Sequence, residues 1–287
     1  MIIERVGVIG AGMMGTEIAL VFALSGADVR LTDSSPEQLG RAVDRLTGLL
    51  DKAVARGGCS SGEAEATLAR LDTASHLEEQ ADRQLLIEAV FEDEEVKAEV
   101  LRRLDDLTDA GAILASNTSS ISISVLAGRL RPERRRRFLG MHFFSPVSRM
   151  KLVEVIPGFD TDEEVVAAAM AACRAAGKEP IRVKDVAGFA VNRLLHAFWI
   201  EANRLVEEGV ASPADIDAAC KFGLGHPVGP YELMDRVTNH LTLQVQEILH
   251  EAYGPRFMPR PLLKQMVRAG RDGRVTGRGW FDYGDGA

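Results

Sequence analysis

The stretch "RVGVIGAGMMGTEIALVFALSGADVRLTD", from Arg5 to Asp33, decides the fold. Its first part, "VGVI", is a short β-branched run of the kind found in buried parallel strands. A glycine-rich turn follows at once, and "TEIALVFALSG" then shows helical spacing that ends at Gly26. A second strand, "DVRLTD", ends in Asp33. This order of strand, turn, helix and strand predicts an α/β fold with a doubly wound sheet.

The glycine-rich turn is typical of a dinucleotide site. Gly10 permits the tight turn, Gly12 lets the backbone approach a pyrophosphate, and Gly15 lets the helix pack closely on the strand. The N-terminus of the helix then offers N–H groups and a positive dipole end to the phosphates. The predicted cofactor-binding residues of this turn are Gly10, Gly12, Met13, Met14 and Gly15.

Asp33 predicts which dinucleotide is bound. It lies 18 residues after Gly15, where its carboxylate can accept hydrogen bonds from both ribose hydroxyls of an adenosine. The next residues, "SSPEQL", offer no arginine that could meet a 2′-phosphate. We therefore predict NAD as the cofactor in preference to NADP.

Strands and helices continue to alternate along the N-terminal half. "RQLLIEAVFEDEEVKAEVLRRLDDL" predicts a strand and a helix, and "AILASNTSSIS" predicts another strand with a polar end. In such parallel sheets ligands bind beyond the carboxyl ends of the strands. We therefore expect four side chains that follow predicted strands to share one edge: Glu92, Asn117, Ser119 and His142.

The pattern changes to helices alone after "KEPIRVKDVAGF". We therefore predict a doubly wound Rossmann-type domain over residues 1–184 and an all-helical domain over residues 185–287. "GFAVNRLLHAFWIEANRLVEEG" predicts a long amphipathic helix, and "GPYELMDRVTNHLTLQVQEILHEAYG" is also helical in pattern. Asn192 lies in the first of these, where a buried amide needs a hydrogen-bond partner.

Composition limits the classes of protein that remain. The net charge of −8 argues against a general nucleic-acid binder, although "RPERRRRF" is a basic run that could form a solvated face or lie near an anionic ligand. No apolar run approaches the roughly 18 residues of a membrane span. Three cysteines without short spacing predict neither a metal site nor a disulfide framework. These features predict a soluble cytoplasmic protein.

The stretch "GMHFFSPVSRMKLVEVIPG", Gly140 to Gly158, carries a histidine and an acid within apolar runs. A buried carboxylate without a partner is unfavourable. Glu154 therefore either faces water or has a partner elsewhere in the fold, and the same alternatives hold for His142.

With these residues in view, the chain resembles the 3-hydroxyacyl-CoA dehydrogenase family, and in length its short bacterial 3-hydroxybutyryl-CoA dehydrogenases. The resemblance runs through "GVIGAGMMGTEIA", "LLIEAVFEDEEVKAEV", "ASNTSSISIS", "GMHFFSPVSRMKLVEVIPG", "GKEPIRVKDVAGFAVNRLL", "GHPVGPYELMD" and "GRVTGRGWFDY". It implies an NAD-dependent oxidoreductase of fatty acid metabolism. Such an enzyme transfers hydride between NAD(H) and the 3-position of a short-chain 3-hydroxyacyl thioester, and the helical domain holds a homodimer.

The resemblance also implies roles for single residues. His142 would be the catalytic acid/base, and Glu154 would orient it. Ser119 and Asn192 would hydrogen-bond the 3-oxygen or the thioester of the substrate. The ribose and nicotinamide end of NAD would be contacted by Glu92, Lys97 and Asn117.

Three departures from the family pattern leave the substrate carrier open. Ser145 stands where asparagine is usual, "MDRVTNHLTL" replaces a usual "D-x-x-G-x-D" opening, and "GCSSG" lacks a usual lysine. Lys52 and Arg56 then remain as candidates for the CoA phosphates. An acyl carrier protein could carry the substrate instead of CoA. Two further alternatives are a catalytically silent, crystallin-like NAD-binding protein and an enzyme acting on small sugar acids or carnitine.

Overall fold

The computed structural model describes residues 2–284, and the chain divides into one unit up to Val186 and a second from Ala187 onward. This division lies two residues after the predicted boundary between residues 184 and 185. The assignment of substrate binding and dimerisation to the second unit stays a prediction.

The first unit is built on an eight-stranded sheet with the strand order β3-β2-β1-β4-β5-β6-β7-β8. The central strands are almost wholly buried, as expected for a parallel sheet covered by helices on both faces. The strands are β1 (Arg5–Ile9), β2 (Asp28–Thr32), β3 (Leu71–Ala74), β4 (Leu85–Glu88), β5 (Ile113–Ser116), β6 (Phe138–Phe143), β7 (Leu152–Pro157) and β8 (Glu179–Arg182).

Helices connect these strands and confirm the predicted doubly wound α/β architecture. Helix α1 follows the glycine-rich turn, and α2 begins where Ser35 caps its N-terminus by accepting the backbone N–H of Gln38. The helices are α1 (Met13–Leu24), α2 (Pro36–Ala55), α3 (Ser61–Leu68), α4 (Glu94–Leu107), α5 (Ile123–Ala127), α6 (Pro132–Arg135) and α7 (Glu163–Ala175), with a 3-10 turn at Leu77–Gln80.

The register aligns the carboxyl ends of β1, β4 and β5 and places them beside the middle of β6. Ile9 pairs with Glu88, Glu88 with Ser116, and Ser116 with Gly140. The residues that follow β1, β4 and β5 therefore leave the sheet at the same edge, where the sequence places the candidate side chains.

The sheet is mostly parallel, with one antiparallel pair near its edge. β7 runs antiparallel to β6, and β8 runs parallel to β7, so the last two strands are reversed. Only eight residues, 144–151, connect β6 to β7, which is too short for a crossover helix and suits an antiparallel connection. This reversal places the "KLVEVI" strand directly beside the "MHFF" strand.

The second unit is helical, as predicted. Its helices are α8 (Val191–Glu207), α9 (Pro213–Gly223), α10 (Pro230–Val237), α11 (Asn239–Tyr253) and α12 (Pro261–Arg268), with 3-10 turns at Pro255–Phe257 and Arg274–Thr276. The segment "GPYELMDRVTNHLTLQVQEILHEAYG" forms two helices because Thr238 adopts a φ of +96° between them. Its hydroxyl caps α11 by accepting the backbone N–H of Leu241.

Candidate active site

The glycine-rich turn has the geometry that its sequence predicts. Gly10 has a φ of +104°, and an added Cβ there would lie 2.6 Å from the carbonyl oxygen of Ala89. An added Cβ at Gly15 would lie 1.8 Å from the carbonyl oxygen of Gly10, so helix and strand approach too closely for any side chain. Gly12 faces open space instead. An open backbone flanked by two tightly packed glycines suits the close approach of a phosphate group.

Asp33 belongs to this turn through hydrogen bonds. Its Oδ2 accepts the backbone N–H of Ala11 at 2.8 Å, and its Oδ1 accepts the backbone N–H of Ser35 at 2.9 Å. The side chain is half-buried at the end of β2. The carboxylate is therefore held beside the turn and is not free to rotate into solvent.

A cavity of about 210 Å³ opens beside the turn. Two arginines of α2, Arg41 and Arg45, line it. They were not predicted from the sequence, although their spacing of four residues places both on one face of the helix after Asp33. The remaining lining residues are Ala11, Gly12, Met13, Thr16, Gln38 and Ala42. Lys52 and Arg56 are exposed near the end of α2 and do not belong to this lining.

Glu17 is a buried acid that pairs with a residue of the cavity wall and was not predicted from the sequence. It lies in α1 with 1 % of its side chain exposed, pairs with Arg45, and accepts the backbone N–H of Ser148 at 2.9 Å. Burial acts to raise the pKa of the Glu17 carboxyl, but the bonds from Ser148 and Arg45 hold it below its ordinary value. Glu17 thereby ties the cavity wall to the connection between β6 and β7.

His142 and Glu154 are direct partners across the antiparallel pair β6–β7. The imidazole Nδ1 lies 2.9 Å from the Glu154 Oε2. Both residues are buried, with 6 % of His142 and none of Glu154 exposed. The acid in the apolar strand therefore has the histidine as its partner, and the reading in which both face water is wrong. The ring of Phe144 packs 4.5 Å from the imidazole.

The polar turn after β5 is held by Glu92. One carboxylate oxygen, Oε1, accepts from the hydroxyl of Thr118 at 2.6 Å and from the backbone N–H groups of Ser119 and Ser120 at 2.8 and 3.0 Å. Both serine hydroxyls also donate to it, at 3.1 and 3.0 Å. The structure thus brings Glu92 and Ser119 together, as their common edge predicts.

Asn117 connects the same turn to the strand of His142. Its Oδ1 accepts the backbone N–H of Phe143 at 2.9 Å, and its own N–H donates to the carbonyl oxygen of Glu88. Phe143, which follows His142 on β6, is therefore held by the side chain of Asn117. The side chain of Lys97 is 1 % exposed and lies between the carboxylates of Glu88 and Glu92, and its contact with NAD stays a prediction.

The comparisons with known proteins decide the family. Residues 5–186 match the NAD binding domain of 3-hydroxyacyl-CoA dehydrogenase, and residues 188–283 match the C-terminal domain of the same family. The chain belongs to the 3-hydroxyacyl-CoA dehydrogenase family. A 3-hydroxybutyryl-CoA dehydrogenase of Mycobacterium tuberculosis is 41 % identical over 285 residues, which cover 98 % of this chain and 99 % of the relative.

Two solved structures of similar proteins superpose on this chain over almost its whole length. A crystal structure of (S)-3-hydroxybutyryl-CoA dehydrogenase from Ralstonia eutropha superposes with a TM-score of 0.95 at 37 % identity, covering 99 % of this chain and 100 % of that one. A diketoreductase that acts on dicarbonyl compounds superposes with a TM-score of 0.84 at 30 % identity, covering 99 % of this chain and all of that one.

The second unit of this dehydrogenase carries Asn192 in the first turn of α8, where it is half-buried. Ser145, at the position where the family pattern has asparagine, is exposed, and its Oγ lies 3.8 Å from the Sδ of Met13. The substitution therefore places a short hydroxyl beside the glycine-rich turn.

The basic run "RPERRRRF" is paired within the first unit. Arg134 is buried and shares the carboxylate of Asp105 with Arg131. Arg136 pairs with Asp162, and Arg137 with Glu164. Four of the five arginines of this run therefore have carboxylate partners at the start of β6, whereas Arg135 donates to the carbonyl oxygen of Leu130.

Within residues 2–284, no cluster of three or more histidine, cysteine, aspartate or glutamate side chains is arranged to hold a metal ion. Among the same residues, no helix combines the length and the apolar character needed to cross a membrane.

Proposed function

We propose that this member of the family oxidises and reduces the 3-position of a short-chain 3-hydroxyacyl thioester such as 3-hydroxybutyryl-CoA, with NAD(H) as cofactor. The buried pair of His142 and Glu154, with Nδ1 and Oε2 2.9 Å apart, carries this proposal. A histidine that must exchange a proton near neutral pH is best served by a fixed tautomer and an anion that stabilises its charged form.

The proton transfer follows from this pair. Glu154 accepts the Nδ1–H of His142, so the lone pair of the neutral imidazole is on Nε2. In the oxidative direction Nε2 takes the proton of the 3-hydroxyl as the C3–H bond breaks and the C3=O bond forms. The imidazolium that results is stabilised by the Glu154 carboxylate. Bound NAD supplies the acceptor for the hydride that leaves C3.

The remaining residues would bind and orient the two ligands. The turn Gly10–Gly15 and Asp33 would hold the pyrophosphate and the adenosine ribose of NAD. Ser119 and Asn192 would hydrogen-bond the 3-oxygen or the thioester, because a hydroxyl and an amide can each pair with both the alcohol and the ketone. Glu92 and Asn117 would contribute at the nicotinamide end.

The carrier of the acyl group is CoA in this proposal, with Lys52 and Arg56 of the α2 end as the cations for its phosphates. Both side chains are exposed and thus accessible to a nucleotide. The same reaction on an acyl carrier protein is the second candidate, favoured by "GCSSG" where the family pattern has a lysine. A homodimer and a cytoplasmic location belong to the proposal as predictions.

The test is NADH oxidation with 3-ketobutyryl groups on CoA, on acyl carrier protein and on pantetheine. Higher kcat/KM for the CoA thioester, lost in Lys52→Gln/Arg56→Gln, supports the proposal. Higher kcat/KM for the carrier-protein thioester supports the second candidate. NADH binding without turnover of any thioester contradicts both, and it is the result that a crystallin-like protein would show.

A further inference from the structure

We propose that Glu17 is a positioning residue for the reaction, because it holds the connection between β6 and β7 in place through the backbone of Ser148. The connection comprises residues 144–151 and begins two residues after His142. The inference rests on the proposed function, since it concerns how the candidate acid/base is oriented. In this proposal Glu17 contacts neither ligand and acts only through the protein.

Glu17 is an acid inside an otherwise apolar stretch of α1. It is 1 % exposed, and the residues that follow it, Ile18–Ala23, are all buried and apolar. Its Oε1 pairs with Arg45 of α2, and its Oε2 accepts the backbone N–H of Ser148 at 2.9 Å. A buried carboxylate is tolerated only with such partners, and here both of its oxygens are engaged. The carboxylate therefore links α1 to α2 and to the connection.

Lys178 is a second buried charge that holds the connection. It lies just before β8, is 6 % exposed, and donates from Nζ to the carbonyl oxygen of Val147 and, at 3.0 Å, to that of Met150. Burial lowers the pKa of its ammonium, whereas the Glu17 carboxylate acts to raise it, so the two charges lie close enough to interact. The backbone of the connection is thus held by an anion at one N–H and by a cation at two carbonyl oxygens.

The segment held in this way leads directly to the imidazole. The N–H groups of Arg149 and Met150 donate to the carbonyl oxygen of Pro146 at 3.0 and 2.9 Å, so the segment is a compact turn. At the start of the connection, the ring of Phe144 packs 4.5 Å from the imidazole of His142. A shift of the turn therefore moves one wall of the imidazole. Because proton transfer needs Nε2 in one orientation, a displacement of about 1 Å is enough to lower the rate by up to about 10²-fold.

The test compares Glu17→Leu with Glu17→Gln, and Glu99→Gln, in an exposed pair on α4, is the control. Leucine suits the apolar surroundings but leaves the N–H of Ser148 without an acceptor, whereas the carbonyl of glutamine can still accept it. In Glu17→Leu, deuterium exchange of residues 145–150 should be about tenfold faster, and kcat should be about tenfold to 10²-fold lower.

Glu17→Gln should lie between Glu17→Leu and the wild type in both quantities, because it keeps the hydrogen bond to Ser148 and loses the charge. The control should equal the wild type. Should Glu17→Leu fail to fold, the smaller changes in Glu17→Gln decide the question, and a Glu17→Gln variant identical to the wild type in exchange and kcat would then contradict the inference.

Two further measurements separate positioning from other roles. On a Phe144→Ala background, Glu17→Leu should lose most of its effect on kcat, because both changes act on the same wall of the imidazole. A lower urea midpoint with unchanged exchange and kcat would overturn the inference, since Glu17 would then be merely structural, and so would an undiminished effect on the Phe144→Ala background.

A higher Kd for NADH with unchanged kcat would also overturn the inference. Arg45 lines the cavity beside the glycine-rich turn, so that result would mean that Glu17 acts on the cofactor through Arg45. Exchange and NADH binding need no turnover, so a wild type inactive on every thioester would contradict the proposed function alone.

Discussion

The carboxylate of Asp33 accepts the backbone N–H of Ala11, with Oδ2 and N 2.8 Å apart. Asp33 is predicted to accept hydrogen bonds from the adenosine ribose, and the glycine-rich turn is predicted to hold the pyrophosphate. The contact with Ala11 makes Asp33 part of that turn. One side chain therefore affects both the shape of the phosphate site and the choice of cofactor.

Asp33 should make NAD(H) the preferred cofactor over NADP(H) by at least about tenfold, or on the order of 1.4 kcal/mol. A 2′-phosphate would meet the carboxylate and displace the ribose hydrogen bonds. In Asp33→Ala this preference should shrink, and the KM for NAD should rise as well because Ala11 loses its acceptor. Kinetics with both cofactors measure the preference and the KM. Asp44→Ala, on the exposed side of α2, is the control. Equal efficiency in the wild type contradicts the role of Asp33.

His142→Ala should lower turnover by roughly 10²–10⁴-fold because it removes the proton acceptor. NADH binding, measured by fluorescence, should stay close to that of the wild type. A variant that keeps most of its turnover would show that another group exchanges the proton.

Glu154→Gln should keep the shape of the pair but lose the charge that stabilises the imidazolium. We expect its main effect on kcat, with little change in the KM for the thioester. If the two residues act as one unit, the double variant should be little worse than His142→Ala alone. A double variant showing the product of the two single effects would mean that Glu154 acts independently of His142.

The protein should be a dimer at micromolar concentration, with a mass by light scattering of twice the 31.2 kDa of the chain. The second unit exposes large apolar side chains that a partner copy would cover, with Phe222 88 % and Leu224 65 % exposed. Phe222→Asp/Leu224→Asp should then yield a monomer that retains helical circular dichroism. A wild-type monomer would contradict this prediction, and the altered segment "DRVTNH" would be the first place to look for the cause.

Acid should destabilise the protein through His196. Burial lowers the pKa of this imidazole from 6.5 to about 4, so the folded state keeps it neutral while the unfolded state protonates it. The contribution of the neutral imidazole to the free energy of unfolding is present in full above pH 6.5. It is lost as the pH falls towards 4, and the loss amounts to up to about 3 kcal/mol. Urea unfolding at pH 7 and pH 4.5 should show a smaller loss in His196→Leu than in the wild type. His240→Gln, at an exposed site on α11, should behave as the wild type.

Much of the first unit could be predicted because its signals are local. Gly10 adopts a φ of +104°, and Gly15 packs against the carbonyl oxygen of Gly10, so both requirements arise within the turn itself. The direction of β7 was not predictable from periodicity, because an alternating or apolar run looks the same in parallel and antiparallel pairs. β3 was also missed, since "LDTA" is a short edge strand with two exposed residues.

The candidate site was less accessible to sequence reasoning. The pairing of His142 with Glu154 followed from family resemblance, whereas the structure supplies the contact itself. The pairing of Glu17 with Arg45 was not predicted because the two residues lie on different helices. A single acid in "TEIALVFAL" does not indicate which distant residue is its partner. The burial of Lys97 could not be predicted from the sequence either, since a lysine in a helix is usually exposed.

The antiparallel register of β6 and β7 limits where the chain can change length. Residues 144–151 lie outside both strands, so an insertion there leaves His142 opposite Glu154. An insertion or deletion of one residue between Leu152 and Glu154 shifts the pairing by one, and the acid then points to the other face of the sheet. The register therefore tolerates a change in the length of the connection, while a change of one residue in the length of the strand separates acid from base.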